Sequence, residues 1–380
     1  MKTMMKQGVM LSCTAIELCL SGCSDLTEET NKTGMAKMAL GDQLYHDQNL
    51  SKNRTMACAT CHEMGSAMID PRETSRTLGA SLGDDHVTIG DRNAPSAAYA
   101  SFAPKFYFDE EEGIFVGGQF LDGRAKDLKE QAKGPFLNPV EMMMPDESSV
   151  VARVMENDAY VAEFKRIYGK DIFDDVQKAY DAIAEVIAKF ERSDTFAPFD
   201  SKFYKVMRGE ATFTEEEAKG FRLFKGKAQC TLCHPADGSK ALFTDFTYDN
   251  LGVPVNHALR QANGKGDDFV DNGLYENPSV DDPTLKGAFK VSSLRNVAVT
   301  GPYMHNGVFK NLKTVVHFYN TRDLPGAINP ETGQPWEKGE VDENKNTEEL
   351  GNLRLSDEEE DAIVAFLRTL TDEKFEHLMH

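Results

Sequence analysis

The chain has 380 residues and a formal net charge of −20, from 62 acidic and 42 basic residues. An acidic surface opposes binding to nucleic acid or to an anionic membrane and favours encounter with a small basic partner protein, although a generally solvated surface would carry the same charge. The length predicts two domains of ordinary size.

Residues 1–22 are predicted to be an export signal. Two lysines precede a short apolar stretch, and Leu20-Ser21-Gly22-Cys23 resembles a lipoprotein signal in which Cys23 becomes the acylated first residue. The stretch is too short to span a membrane as a helix. We therefore expect a periplasmic protein that is either anchored to the membrane through a lipidated Cys23 or released by simple cleavage. The polar residues 24–34 predict a tether.

One short motif occurs twice, as Cys58-Ala59-Thr60-Cys61-His62 and as Cys230-Thr231-Leu232-Cys233-His234. C-x-x-C-H is the covalent attachment motif of c-type haem, in which both thiols add to the porphyrin and the histidine ligates the iron. A redox-active cysteine pair or half of a zinc site would leave both histidines unexplained. The repeat predicts two covalently bound haem c groups, and such attachment outside the cytoplasm agrees with an export signal.

Local patterns predict helices and one hairpin between and after these motifs. Apolar residues recur at helical spacing at Val176, Ala179, Tyr180, Ile183, Val186, Ile187 and Phe190. Thr214 with Glu217 and Ser356 with Glu359 form capping boxes that predict helix starts. The acidic residues 109–112 stand between two apolar segments, as the tip of a β-hairpin would.

The remaining composition predicts how the chain is divided. Polar stretches at 257–283 and 321–350 are rich in Gly, Asn and Asp and predict long surface loops. The stretch 191–213 is the best domain boundary. We predict an N-terminal domain over 23–205 and a C-terminal domain over 206–380, each with one haem.

Several further blocks, in this order, give the chain a family resemblance. They are Arg92-Asn93-Ala94-Pro95-Ser96, Asp122-Gly123-Arg124, Gln131, Pro135, Glu141, Leu294-Arg295-Asn296-Val297 and Thr300-Gly301-Pro302-Tyr303-Met304-His305-Asn306-Gly307. From about Leu40 to Leu370 the chain resembles bacterial dihaem cytochrome c peroxidases and the related MauG-type dihaem oxidases. The resemblance implies a mainly α-helical fold of two cytochrome c-like haem domains packed together, with long connecting loops.

The resemblance also implies a reactive site at the first haem. Glu141 occupies the acid–base position of the family, where a carboxylate moves a proton between the two oxygens of peroxide. Gln131 occupies the neighbouring polar position, where it can orient peroxide. In the plainer interpretation Glu141 is an ordinary loop carboxylate and Gln131 a solvated helix residue.

The iron ligand at the second haem separates the two branches of the family. Peroxidases place a methionine there and MauG-type enzymes a tyrosine, and the matching position in this chain is Tyr319. The spacing of Leu312, Val315, Val316 and Tyr319 predicts that Tyr319 lies on the apolar face of a helix. A buried core tyrosine is the alternative, and Met304 is the other candidate ligand.

Two positions depart from the family pattern. Leu121 stands where the family commonly has a tryptophan between the haems, and the single tryptophan of this chain is Trp336. Classical peroxidases often carry a removable distal histidine after the first motif. The corresponding loop has only His86, which we expect to be a surface residue.

Family members also hold a calcium ion between the two domains. Asn93, Thr300 and Pro302 match the positions that supply its oxygen ligands, which are of the kind that a hard cation prefers. We therefore expect two haem c groups and one calcium ion as cofactors.

The sequence favours a peroxidase that reduces hydrogen peroxide to water with electrons from a small c-type cytochrome or a cupredoxin. One alternative is a MauG-like oxidase that modifies a protein side chain. Another is an electron carrier without catalytic activity. Nucleic acid is not expected as a partner, and homodimers are common in the family.

Overall fold

The computed structural model describes residues 17–72, 78–266 and 268–379, with side chains described from residue 30 onwards. The described chain is mainly helical, which confirms the predicted fold class. The helices are Glu17–Tyr45 (α1), Cys58–Cys61 (α2), Leu128–Leu137 (α3), Glu147–Met155 (α4), Asp158–Tyr168 (α5), Val176–Phe190 (α6), Lys202–Met207 (α7), Glu215–Lys225 (α8), His257–Ala262 (α9), Leu312–Thr321 (α10) and Asp357–Arg368 (α11).

The described strands form three short antiparallel pairs. They are Tyr107–Asp109 (β1) with Ile114–Val116 (β2), Tyr248–Asp249 (β3) with Phe289–Lys290 (β4), and Ile328–Asn329 (β5) with Gln334–Pro335 (β6). The first pair is the hairpin that the acidic tip predicted. Among the described helices, none is both long and apolar enough to cross a membrane.

Two hydrophobic cores lie in the two halves of the chain. The first gathers residues of α1 and α3–α6, including the apolar stripe of α6, and the second gathers residues of α7, α8, α10 and α11. Phe366 of α11 packs against Phe203, Phe221, Phe224 and Phe243 at ring centroid distances of 4.9–6.1 Å. Each core backs onto one of the two C-x-x-C-H motifs.

A glycine brings two helices close together in each half. A Cβ atom on Gly41 of α1 would lie 1.9 Å from the carbonyl oxygen of Val186 in α6. A Cβ atom on Gly220 of α8 would lie 1.8 Å from the carbonyl oxygen of Ala362 in α11. Both distances are far below van der Waals contact, so each helix pair can approach this closely only without a side chain. In both halves the glycine lies on the long helix that precedes the motif.

The predicted helix starts are confirmed. Thr214 caps α8 and Ser356 caps α11, and each forms a complete capping box with the glutamate three residues later. These boxes satisfy backbone N–H groups that the first helical turn leaves without partners. Since α8 leads directly to the second motif, its defined start helps to fix the position of the haem-binding turn.

Of the predictions about polar segments, one is wrong, one is wrong in part and one is confirmed. Residues 24–34 lie within α1 rather than in a tether. The stretch 257–283 is only partly a surface loop, because it contains α9 and buried residues, among them Arg260 and Asp271. The stretch 321–350 is largely an irregular surface segment, as predicted, with Arg322 and Val341 among its few buried residues. Their polar composition reflects buried ion pairs and side chains that bond to backbone. The predicted export signal cannot be compared, because residues 1–16 and the side chain of Cys23 lie outside the described part.

Candidate haem sites

The second motif forms a compact turn that leaves its ligand atom free. Cys230–Leu232 is one turn of 3₁₀ helix, and the backbone N–H of His234 closes it by bonding to Cys230 O at 2.9 Å. The Nδ1 atom of His234 lies 2.7 Å from the carbonyl oxygen of Phe243. Because a carbonyl can only accept, Nδ1 carries the proton and donates it, and Nε2 keeps its lone pair for a metal.

The first motif repeats this arrangement. Cys58–Cys61 is a single α-helical turn, and His62 N bonds to Cys58 O at 3.0 Å. Nδ1 of His62 faces the carbonyl oxygen of Met68 at 3.3 Å. Burial lowers the pKa of both His62 and His234, which favours the neutral imidazole that an iron ion requires.

Both carbonyl acceptors lie on unusual backbone. Met68 has φ of 57° and Phe243 has φ of 56°, in the left-handed region that residues other than glycine rarely occupy. In each half this conformation accompanies a carbonyl that faces the motif histidine. Such strain is retained where the surrounding structure imposes it, commonly at functional sites.

The four cysteines of the motifs form no disulfide in the described chain. Burial raises the pKa of Cys61, Cys230 and Cys233 to about 12, and it raises the pKa of Cys58 further. Thiols and histidines together fit two covalently attached haem groups.

A cavity of about 370 Å³ adjoins the second motif and extends to the boundary between the two halves. Cys230, Cys233 and His234 line it, and so does Tyr319 from α10. The apolar side chains Leu294, Val297, Leu312, Val315, Val316, Leu353 and Leu367 also line it. Burial, together with the nearby cysteines, raises the pKa of Tyr319. The other candidate ligand, Met304, lines the same cavity, so both candidates remain within reach of the site.

Glu141 lies at the first motif. Its carboxylate lies close enough to act electrostatically on both Cys58 and Cys61, and it raises the pKa of each thiol. The Asn138 side chain donates a 2.6 Å hydrogen bond to Glu141 Oε1. Burial raises the pKa of Glu141, opposed by the charge of Arg124 and by the bond from Asn138.

The backbone fixes Glu141 in this position. Its carbonyl accepts a hydrogen bond of 2.8 Å from Asp84 N, and the next residue, Met142, accepts one of 3.0 Å from Lys52 N. The Asp84 carboxylate is buried and accepts hydrogen bonds from Ser51 and Thr55, just before the motif. The backbone at Glu141 is thus tied to the segment that leads into Cys58.

Gln131 and His86 flank this region with different burial. Gln131 is half-buried on α3, one helical turn before Pro135, whose carbonyl accepts a hydrogen bond from Met142 N at 3.1 Å. His86 is exposed on a loop, as expected for a surface residue. Gln131 therefore lies on α3, the helix that precedes Glu141 in the chain, and His86 faces solvent.

The predicted calcium residues meet where the two halves join. Asn93 Nδ2 donates to the carbonyl oxygen of Pro302 at 2.6 Å, and Asn93 N donates to His305 O at 2.7 Å. Thr300 lines the same cavity as Asn93 and Pro302. The structure therefore brings Asn93 and Pro302 into direct contact across the two halves, with Thr300 in the same cavity.

The comparisons with known proteins agree with this geometry. The model of the di-haem cytochrome c peroxidase family matches residues 35–212. The chain is 47% identical over 377 residues to the methylamine utilization protein MauG of Paracoccus denitrificans, and the match covers 97% of each chain. This chain belongs to the di-haem cytochrome c peroxidase family.

Two further relatives show the breadth of this family. The chain is 30% identical over 340 residues to the cytochrome c551 peroxidase of Nitrosomonas europaea, covering 88% of this chain and 80% of the relative. The crystal structure of the diheme peroxidase BthA from Burkholderia thailandensis superposes with a TM-score of 0.82 at 30% identity, covering 90% of this chain and 88% of that one. Family membership and the two motifs give an oxidoreductase with two covalently bound haem groups.

The family's tryptophan position is occupied differently here. The carbonyl of Leu121 accepts a 2.8 Å hydrogen bond from Lys290 N, and both residues line the cavity at the second motif. Lys290 Nζ donates to Gly118 O at 2.6 Å. Removal from water lowers the pKa of Lys290 to about 8, although the charge of Asp122 opposes the shift. Sequence reasoning missed Lys290, because a lone lysine in a two-residue strand carries no periodic signal.

Proposed function

We propose that this protein is a periplasmic dihaem enzyme that uses hydrogen peroxide as its oxidant. The observation that carries the proposal is the position of Glu141, whose carboxylate is held by Asn138 and lies near enough to the first motif to act electrostatically on both of its thiols. Cys58, Cys61 and His62 would hold the first haem, which would supply the redox-active iron for the reduction of peroxide.

The residues around the first motif provide the proton chemistry. Glu141 takes the proton from the peroxide oxygen nearer the metal and returns it to the leaving oxygen, which departs as water. Asn138 holds the carboxylate through its 2.6 Å hydrogen bond. A pKa raised by burial makes Glu141 a stronger base when ionised and a useful acid once protonated. Gln131, on the adjacent helix, orients peroxide without competing for its proton.

The electrons that complete the reduction of peroxide come from a protein partner. Of the two branches of the family, we favour the MauG-like one, in which a side chain of another protein is oxidised. Tyr319 lines the cavity that contains His234, and an anionic oxygen ligand there would lower the potential of the second haem and favour its oxidised states. The 47% identity to a MauG protein over nearly the whole chain supports the same choice.

A cytochrome c peroxidase is the second candidate, in which a small c-type cytochrome or cupredoxin supplies the electrons. Met304 favours it, because this methionine also lines the cavity at the second motif. A thioether ligand would raise the potential of the second haem and suit it to collecting electrons.

Peroxide turnover with Glu141→Gln tests the shared mechanism. Loss of the base should reduce the rate of the peroxide reaction by about 10²–10⁴-fold while both haem groups stay attached. Glu130→Gln is the matched control, because Glu130 is an exposed glutamate on α3 that pairs with Lys133. A Glu141→Gln protein that reacts at the rate of the Glu130→Gln protein would contradict the role of Glu141.

The electron donor then separates the two candidates. Reduced cytochrome c and a reduced cupredoxin should give negligible peroxide turnover if the partner is an oxidisable protein side chain. Rapid turnover with either would favour the peroxidase. The calcium ion at Asn93, Thr300 and Pro302 and the lipid anchor at Cys23 form part of the same proposal, and mass and metal analysis of the mature protein test both.

A further inference from the structure

The single tryptophan of this chain lies against the helix that carries Tyr319. Trp336 directly follows the hairpin β5–β6. Its ring lies 5.2 Å from that of Phe318 and 5.7 Å from that of Phe309, between centroids, with edge-to-face geometry in both pairs. Phe309 and Phe318 are fully buried, whereas Trp336 is half-buried. The indole thus joins the interior of the C-terminal half to its surface.

Only one ring separates this indole from Tyr319. The ring centroids of Phe318 and Tyr319 lie 6.2 Å apart on α10. The indole Nε1–H donates to Thr321 Oγ1 at 3.0 Å, and the Thr321 hydroxyl donates to His317 O at 2.7 Å. Residues of a single helix therefore fix both the distance and the orientation of Trp336 relative to Tyr319.

This placement suits electron transfer between the second haem site and a surface partner. Tryptophan and tyrosine are the aromatic side chains that lose one electron most readily, and the single ring of Phe318 lies between Trp336 and Tyr319. Leu121, between the two halves, cannot serve in this way. Beyond Trp336 lie exposed residues, including Gln334 and Pro335 of β6, which a partner protein could reach.

We propose that Trp336 is a one-electron relay between the second haem site and an oxidisable partner protein that contacts the β5–β6 hairpin. The inference rests on the proposed use of peroxide and adds the route by which the partner is oxidised. Each hydrogen peroxide accepts two electrons and two protons and becomes two water molecules. The partner loses those two electrons one at a time, and Trp336 loses and regains one electron on each passage, so that it is unchanged after the cycle.

The hydrogen bond of the indole specifies the form of the oxidised residue. Its acceptor, Thr321 Oγ1, is a hydroxyl whose own proton is committed to His317 O, so it is a poor base. The indole proton therefore stays on nitrogen, and Trp336 is oxidised to its protonated radical. Exchange into D₂O should then change the hyperfine splitting of the radical.

The holoprotein with both haem groups attached can be mixed with peroxide in the absence of a donor and frozen within milliseconds. Because the chain contains one tryptophan, any change that ring-deuterated tryptophan causes in the electron paramagnetic resonance spectrum belongs to Trp336. We expect a radical signal that narrows on deuteration and is missing from Trp336→Phe. Tyr107→Phe is the matched control, since it removes an exposed aromatic residue of another hairpin, and it should keep the signal.

A second measurement does not depend on trapping the radical. Without an added donor, the electrons that restore the resting state come from oxidisable side chains at the protein surface. The peroxide-oxidised optical spectrum of Trp336→Phe should therefore return to that of the resting protein about tenfold or more slowly than that of wild type, with unchanged resting spectra. Return at the wild-type rate, or a radical signal insensitive to deuterated tryptophan, would overturn the relay while leaving the proposed function intact. If peroxide causes no optical change in the wild-type protein, the proposed function and the relay both fail.

Discussion

Arg92 and Asp271 form a two-pronged ion pair across the boundary between the two halves of the chain. Arg92 Nε lies 2.7 Å from Asp271 Oδ2, and Arg92 Nη2 lies 2.7 Å from Asp271 Oδ1. The same guanidinium also bonds to the carboxylate of Asp122. Asp271 is 2% exposed, so its charge is stabilised mainly by this partner. Arg92 directly precedes Asn93, and the pair therefore helps to hold the predicted calcium residues together.

Loss of this arginine should be costly. Arg92→Ala leaves the buried Asp271 without its arginine partner and leaves Asp122 with Arg124 alone. We therefore expect the free energy of unfolding in urea to fall by about 3–5 kcal/mol. Lys205→Ala is the control, because Lys205 pairs with Glu373 on the surface and its loss should cost no more than about 1 kcal/mol. Equal effects of the two substitutions would contradict the structural role of Arg92.

The same pair gives a pH dependence of stability. The Arg92 guanidinium, through hydrogen bonds and charge, lowers the pKa of Asp271 to about 2 in the folded chain, against about 3.9 in an unfolded one. A lowered pKa stabilises the fold above the unfolded value and ceases to do so as the pH falls towards the folded value. The difference in stability between wild type and Asp271→Asn should therefore shrink between about pH 4 and about pH 2.

The contact between α8 and α11 makes Gly220 sensitive to substitution. In Gly220→Ala the new Cβ atom would meet the backbone of Ala362, so the helices must separate and the free energy of unfolding should fall by about 1–3 kcal/mol. A Cβ atom on Gly34 in α1 has no neighbour within 4 Å. Gly34→Ala should therefore leave stability unchanged or raise it by up to about 1 kcal/mol. Thermal unfolding of the two holoproteins distinguishes them.

The raised pKa of Glu141 should appear in the kinetics of the peroxide reaction. Because the ionised carboxylate accepts the first proton, the rate should rise with pH through a pKa above the ordinary glutamate value of 4.5. This rise of the rate with pH should be absent in Glu141→Gln and present in Glu130→Gln. If the rate of Glu141→Gln still rises with pH in the same way, a different group is the one that titrates.

Patterns within the sequence predicted those elements whose formation depends on residues close together in the chain. The apolar stripe of α6, the two capping boxes and the acidic hairpin tip each lie within one element, so spacing alone was sufficient. The motif histidines and cysteines were equally clear, because haem attachment fixes their order and spacing.

Features that depend on distant contacts could not be predicted in this way. Asp271 lies in a polar stretch and is buried only because Arg92, far away in sequence, pairs with it. The backbone carbonyls of Met68 and Phe243 orient the motif histidines through an unusual φ, which no side chain records. Trp336 lies in a polar stretch of the sequence, and its position near Tyr319 follows only from the packing of both rings against Phe318.

The ligand assignment at the second haem can be tested by exchange of either candidate. Tyr319→Phe should change the optical and magnetic spectra of the second haem and raise its midpoint potential, because an anionic oxygen ligand is lost. Met304→Leu alters the other candidate side chain in the same cavity and should leave both unchanged. The opposite pattern would assign Met304 as the ligand and favour the peroxidase branch.

The electron paramagnetic resonance spectrum of the fully oxidised, mature protein tests the central claim most directly. One haem should be high-spin, with a coordination position open to peroxide beside Glu141, and the other should be low-spin, with His234 and Tyr319 as ligands. Two low-spin signals that persist after half-reduction, in a protein that does not react with peroxide, would contradict the account.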